Sequence, residues 1–229
     1  MATATKMKIS KQTIDLLKNF ASINSNILVM PGNEIKTISN YKNVLAVANV
    51  EETFDMEFGI WDLNKLLGTI SLFESPTFEF NEKNVVIEGE NGATVVYYYS
   101  EPKLLTTVNK ELKMPEAVVH CEIKEEDFKE IQRAAGVLQL PDLKISSEGD
   151  KIYLTVHDRK DPSSNSFTIE VGDNTDDADF TFLFKVENMK MLSGDYNVEI
   201  CKNSVAKFNN QSIDVSYWVA MEPDSTYNA

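Results

Sequence analysis

The stretch Ile9-Ser-Lys-Gln-Thr-Ile-Asp-Leu-Leu-Lys-Asn-Phe-Ala-Ser-Ile23 decides how the rest of the chain reads. Ile14, Leu17 and Ala21 stand at i, i+3 and i+7, and Leu16 and Phe20 widen the same apolar side. Lys11, Asp15, Lys18 and Ser22 follow the opposite side at i, i+4, i+7 and i+11. The spacing predicts an amphipathic helix of about three to four turns. Ser10 stands where an N-cap hydroxyl accepts a hydrogen bond from an otherwise unpaired first-turn amide.

The same text then recurs. At a constant offset of 114, Ile9, Ile14, Leu17 and Ala21 become Ile123, Phe128, Ile131 and Ala135. A second long helix is therefore expected over 124–138, with Glu125, Glu126 and Asp127 in its first turn, where the helix dipole favours them. Each helix is followed by strand-like runs. In the first half these are 27–30, 34–38, 44–50 and 53–60, where Phe54, Met56, Phe58 and Ile60 alternate. In the second they are 143–145, 151–156, 167–171 and 180–186, where Phe180, Phe182 and Phe184 alternate.

A short helix follows each set, over 61–72 and 186–192. The two match at an offset of 125: Asp62 with Glu187, Lys65 with Lys190, Leu67 with Leu192. Three more strands close each half, at 77–80, 85–88 and 93–99, and at 196–200, 205–208 and 215–221. Helix, four strands, helix, three strands, written twice, is an internal duplication in an α+β chain. We expect domains over 7–110 and 117–229. The Pro-flanked stretch 101–116 reads as an extended connector lying on the protein surface.

Composition narrows the functional classes. A chain of 229 residues has room for one large domain or two modest ones. No apolar run approaches membrane-spanning length, and the N-terminal residues lack the apolar core of a signal peptide. Two distant cysteines, Cys121 and Cys201, give no disulfide framework and suit a reducing cytoplasm. His120 and His157 have no Cys or Asp at ligand spacing, and no phosphate loop or nucleophile elbow occurs. The acidic run 173–179 lacks the Gly and Glu of a calcium loop and reads as solvated. No catalytic, metal or cofactor site is expected.

A net charge of −14 argues at first against nucleic acid, because phosphate neutralisation supplies most non-specific affinity. Where the cations sit matters more. Lys11, Lys18, Lys65, Lys129, Arg133 and Lys190 fall on the polar sides of the four expected helices, with Lys8 and Lys124 at the helix entrances. Any amphipathic helix carries such lysines, and Asp15, Asp62, Glu125 and Glu187 share these faces. Spacing alone yields a weak cationic surface.

The ordered motifs Met7-Lys-Ile-Ser-Lys11, Leu16-Leu-Lys-Asn-Phe-Ala-Ser-Ile-Asn-Ser25, Trp61-Asp-Leu-Asn64, Glu187-Asn-Met-Lys-Met191 and Asp224-Ser-Thr226 go further. Together they resemble the sliding clamps of T-even-type tailed phages, from Met7 almost to the end of the sequence. The resemblance implies two similar domains, each of two β-sheets and two short helices. Three copies would close head to tail into a homotrimeric ring around duplex DNA without sequence preference.

It also implies a non-enzymatic processivity factor in the cytoplasm of an infected bacterium. Such a ring tethers the phage DNA polymerase, is opened and closed by a clamp-loader ATPase, and serves late transcription through a sigma-like factor. Lys8, Lys11, Lys18, Lys65, Lys124, Lys129, Arg133 and Lys190 would face DNA. The subunit interface would pair an edge strand over 94–100, with Val95, Val96, Tyr97 and Tyr98, against 167–171, with Phe167, Thr168 and Ile169. Partner peptides would enter an apolar pocket near the connector, for which Leu104, Leu105, Leu112, Met114 and Trp218 are candidates. Each of these, taken singly, could as well be a core residue sealing the connector. The competing class is a non-catalytic β-rich phage assembly or interaction module that does not bind DNA.

Overall fold

The computed structural model describes residues 5–108, 114–175, 178–202 and 204–228. The chain separates into two compact units, Met1–Glu111 and Leu112–Ala229. In unit 1 the order is β1 (Thr5–Met7), α1 (Lys11–Ile23), β2 (Ile27–Val29), β3 (Gly32–Ile38), β4 (Val44–Phe54) and β5 (Phe58–Ile60). There follow α2 (Leu63–Ile70), β6 (Thr77–Phe80), β7 (Asn84–Glu88) and β8 (Thr94–Tyr98). An antiparallel sheet runs β1-β6-β7-β8, while β3 pairs with β4 and β2 with β5. Helix α1 packs on α2 and β4. Its Leu16, Leu17 and Phe20 and the Leu63, Leu66 and Ile70 of α2 are buried.

Unit 2 runs β9 (Ala117–Ile123), α3 (Glu125–Leu138), β10 (Asp142–Glu148), β11 (Lys151–His157), β12 (Phe167–Asp173) and β13 (Asp179–Lys185). It continues with β14 (Tyr196–Cys201), β15 (Val205–Asn210), β16 (Val215–Ala220) and β17 (Thr226–Asn228). One sheet has the order β12-β11-β10-β13-β17, and a second set of strands runs β9-β14-β15-β16. The expected Phe alternation is core: Phe180, Phe182 and Phe184 are buried, and Phe184 meets Phe208 of β15 edge-on at 6.2 Å. Among the described residues, no helix is long and apolar enough to cross a membrane.

Four expectations change. The stripe of α1 is centred on Thr13, Leu16, Leu17 and Phe20, with Ile14 and Ala21 only half-buried. A polar residue enters the buried face because its partner, Glu52, lies on β4, far away in sequence. Strand β4 also runs on through 51–52, where a break was expected, and the strand expected over 53–60 is interrupted by a turn at 55–57. Val50, Glu52 and Phe54 point inward and alternate with exposed neighbours, so a carboxylate in the apolar register hid the continuity.

The third change is the fourth helix. Val186–Asn188 is a single 3-10 turn, leaving three α-helices among the described residues. The backbone groups that a helix would pair are taken by side chains. Gln132 Nε2 donates to the carbonyl of Met189 at 2.9 Å, the Tyr196 hydroxyl donates to that of Leu192, and the amide of Leu192 donates to the Tyr217 hydroxyl at 3.3 Å. Such side-chain bonds compete directly with the helical ladder. Fourth, β1 and β17 were not expected. β1 pairs with β6, and Lys6 joins Glu79 and Glu88 at 3.4 and 3.3 Å.

The stretch 101–116 begins with a 3-10 turn, Pro102–Leu104, and then drops Leu105 onto Gly59. Glycine is required there: a Cβ would stand 2.6 Å from Leu105 Cδ1 and 2.7 Å from the carbonyl oxygen of Ser100.

Candidate nucleic-acid interface

All eight cations expected to face DNA are exposed. Their surroundings differ. Helices α1 and α2 together carry three lysines (Lys11, Lys18, Lys65) against one carboxylate, Asp15. Helix α3 carries two cations, Lys129 and Arg133, against four carboxylates: Glu125, Glu126, Asp127 and Glu130. Pairing sharpens the contrast. Lys18 bonds Asp15 at 2.9 Å, Lys124 engages Glu122 at 2.5 Å and Asp195 at 3.4 Å, and Lys129 pairs with Glu125. Among the described residues, Lys8, Lys11, Lys65 and Arg133 have no carboxylate oxygen within 4.0 Å. Lys190 is exposed on the segment that follows the 3-10 turn.

The helix starts explain the contrast. Helix α1 has no acidic residue in its first turn. Its capping acceptors come from Ser10, whose hydroxyl takes the Thr13 amide at 3.2 Å, and from Glu52 beneath it. Glu52 is 9 % exposed and accepts from the Thr13 hydroxyl at 2.5 Å and from the Ser10 amide. Burial opposes ionisation of Glu52, but these donors outweigh it and hold the carboxyl below its usual range.

Helix α3 carries its anions on its own first turn, with Glu126 exposed and Glu125 and Asp127 half-buried. Asp195 accepts the Glu125 amide at 2.8 Å, and this bond, reinforced by Lys124, holds the Asp195 carboxyl low. Asp127 is pushed up, by burial first and then by Glu126 and Glu130.

The interface strands lie at sheet edges. Among the described residues, strand β8 is bonded only to β7 in its sheet, and β12 only to β11. Val96 and Tyr98 are 47 % and 70 % exposed; Val95 and Tyr97 are half-buried, and the Tyr97 hydroxyl donates to the carbonyl of Asp62 at 3.0 Å. On β12, Phe167 and Ile169 are half-buried and Thr168 is exposed, sharing a 2.9 Å hydroxyl bond with Thr155. Sequence reasoning missed a neighbouring apolar site. Val137 (75 % exposed) and Leu138 at the end of α3 line a groove with Phe167 and Arg133. The signal was two consecutive apolar residues lying off the buried stripe.

The pocket candidates are scattered. Leu104 is exposed, Leu105 is buried in unit 1, Met114 is half-buried, and Leu112 lies outside the described residues. Trp218 is half-buried on β16 with Lys207 Nζ 5.4 Å from its ring. A separate groove on unit 1 is lined by Leu28, Met30, Pro31, Thr106 and Val108 and contains neither Leu104 nor Leu105. His120 and Glu199 are opposite each other on β9 and β14. Among the described residues, no group of three His, Cys, Asp or Glu side chains is placed to hold a metal ion.

Comparison with known proteins follows this geometry. Residues 120–223 match the family described as gp45 sliding clamp, C terminal. The chain is 30 % identical to the sliding clamp of Vibrio phage KVP40 over 221 residues, covering 94 % of this chain and 99 % of that protein. It is 31 % identical to the sliding clamp of Enterobacteria phage T4, covering 97 % of this chain and 100 % of the other. The fold is similar to that of proliferating cellular nuclear antigen from Entamoeba histolytica. There the TM-score is 0.69 at 11 % identity, covering 96 % and 98 % of the two chains.

Proposed function

The chain belongs to the family of phage sliding clamps, and from that premise we propose how its parts perform the clamp's task. It is a DNA sliding clamp, a processivity factor rather than a catalyst, and a non-DNA assembly module is not favoured. Three copies join head to tail, and the helical faces surround duplex DNA. A clamp must slide, so it needs attraction to the phosphate backbone without base readout. Lysine ammoniums suit this, because they follow phosphates and carry no sequence preference.

The observation that carries the reading is the set of exposed cations on the helices and helix entrances of each unit, in a protein whose net charge is −14. Topological enclosure supplies retention, so that lining can be weak, and the acidic remainder discourages DNA from binding elsewhere.

Ring closure pairs β8 of one copy with β12 of the next. Its support is the unpaired edge of each strand and the exposed apolar side chains beside them: Val96 and Tyr98 on one, Phe167, Val137 and Leu138 at the other. The domains 7–110 and 117–229 with their connector over 101–116, the phage polymerase, the clamp-loader ATPase, a sigma-like late-transcription factor and the cytoplasm of the infected host complete the proposal.

Light scattering over a range of concentrations tests the ring first. We expect a trimer that dissociates on dilution, and Tyr98→Asp to shift that dissociation to at least about tenfold higher concentration, because it places a charge in the apolar contact. A chain that stays monomeric at high concentration, and that its loader cannot retain on circular DNA, defeats the proposal.

A further inference from the structure

On the reading that the helical faces surround DNA, we infer that unit 1 carries the phosphate contact, through Lys8, Lys11 and Lys65, and that α3 repels the backbone. The same structural need, an anion near a helix start, is met on opposite sides of the two helices. Beneath α1 the anion is Glu52, buried on β4 and bonded to Thr13 and Ser10. Its charge is spent inside the unit, so the outer surface of the first turn is left to Lys8 and Lys11.

Lys11 stands at the positive end of the helix dipole, a position that a stability rule alone would give to a carboxylate. Lys65 repeats the choice on α2, where Asp62 is committed to capping the Lys65 amide at 2.9 Å. At the start of α1 the Thr13 amide is already bonded to the Ser10 hydroxyl and the Ser10 amide to Glu52. In unit 2 the anions belong to the helix itself: Glu125, Glu126 and Asp127 open α3 and Glu130 follows one turn on, with Glu126 and Glu130 exposed.

Pairing acts in the same direction. A phosphate approaching Lys124 or Lys129 must first displace Glu122, Asp195 or Glu125, whereas Lys8, Lys11 and Lys65 are open to it. Lys18 on α1 is paired with Asp15, and Arg133 on α3 is open but shares its helix with four carboxylates. Units alternate around a ring of three copies, so three attractive sectors alternate with three that are close to neutral or repulsive. The duplex then rests against one unit 1 sector at a time and is passed to the next as the clamp moves.

The test is equilibrium binding of a short linear duplex to the trimer across a salt series. Light scattering confirms the trimer in each variant. The triple variant K8E/K11E/K65E is expected to bind at least about tenfold more weakly with a shallower salt slope, and K124E/K129E to lose less than about threefold. Neutralising the repulsive side in E126Q/E130Q is expected to strengthen binding about two- to fivefold, a gain that a damaged fold cannot produce. Equal losses in the two lysine sets, or no gain from E126Q/E130Q, overturn this inference and leave the clamp reading intact. A wild-type trimer that holds no duplex at any salt concentration, and is not retained on circular DNA by its loader, removes both.

Discussion

Helix α1 draws its N-terminal acceptors from Ser10 and from Glu52 of β4, whereas α3 opens with three carboxylates of its own and gives its first amide to the half-buried Asp195. Unit 2 also buries a carboxylate, but after its helix. Asp142, the first residue of β10, is 1 % exposed, bonds Lys185 and accepts the Arg159 amide at 3.2 Å. Arg159 continues to Glu222 and, at 3.1 Å, to Asp224, so this cluster ties the last segment of the chain to the sheet. One repeat thus uses its buried anion to hold a helix with a cationic face. The other uses it to hold a C-terminal segment, and leaves its helix acidic. Duplicated sequence preserved the scaffold and let the charged contacts diverge.

The largest effect should come from breaking these two anchors. Asp142→Ala leaves Lys185 and the Arg159 amide without their acceptor, and should cost about 3 kcal/mol by urea denaturation. Glu52→Ala strands neutral donors rather than a cation, and should cost about 2 kcal/mol. If Glu52→Ala costs no more than an exposed Glu→Ala on α3, the contrast between inner and outer anions fails.

A smaller effect concerns pH. Both carboxyls are held below their ordinary range: burial opposes this in each case, and is outweighed by Thr13 and Ser10 at Glu52 and by Lys185 and Arg159 at Asp142. A depressed folded-state pKa means that the folded protein favours the ionised form. The stabilisation is therefore complete above about pH 5 and is lost as pH falls through the folded-state values. Urea midpoints of E52A/D142A should vary less between about pH 5 and pH 2 than those of the wild type.

The smallest effect separates the helix ends. Helix α3 ends on Gln139 in the left-handed region, with φ 54°, whereas α1 ends on Asn24 in extended backbone. Gln139→Gly should stabilise by about 0.5 kcal/mol, because glycine meets no steric penalty there. Asn24→Gly should instead destabilise by about 1 kcal/mol. The buried Asn24 side chain donates to the Ile38 carbonyl at 2.7 Å and accepts the Asn26 amide at 3.1 Å.

Much of this architecture was legible before the structure. Periodicity located α1, α2 and α3, and Ser10 announced its own cap, because each signal lies within a few residues of its effect. The offsets of 114 and 125 exposed the duplication. The five cations on helices, Lys11, Lys18, Lys65, Lys129 and Arg133, were placed on exposed surface, since the polar side of an amphipathic helix is solvent-facing by construction. What misled was local resemblance without tertiary support. The segment 186–192 matches α2 in residue type, yet Gln132, Tyr196 and Tyr217 claim its backbone from three other elements.

Sequence by itself determined the repeat and the helices α1, α2 and α3, because these rest on residue type and spacing along the chain. Tertiary structure decided which cations are open. Whether a lysine meets a carboxylate depends on distances between side chains on different elements, such as Lys124 with Asp195. It also decided that Glu52 lies beneath α1. A carboxylate inside an apolar alternation has no sequence signature, and only folding brings β4 under the helix whose outer surface it leaves free for lysine.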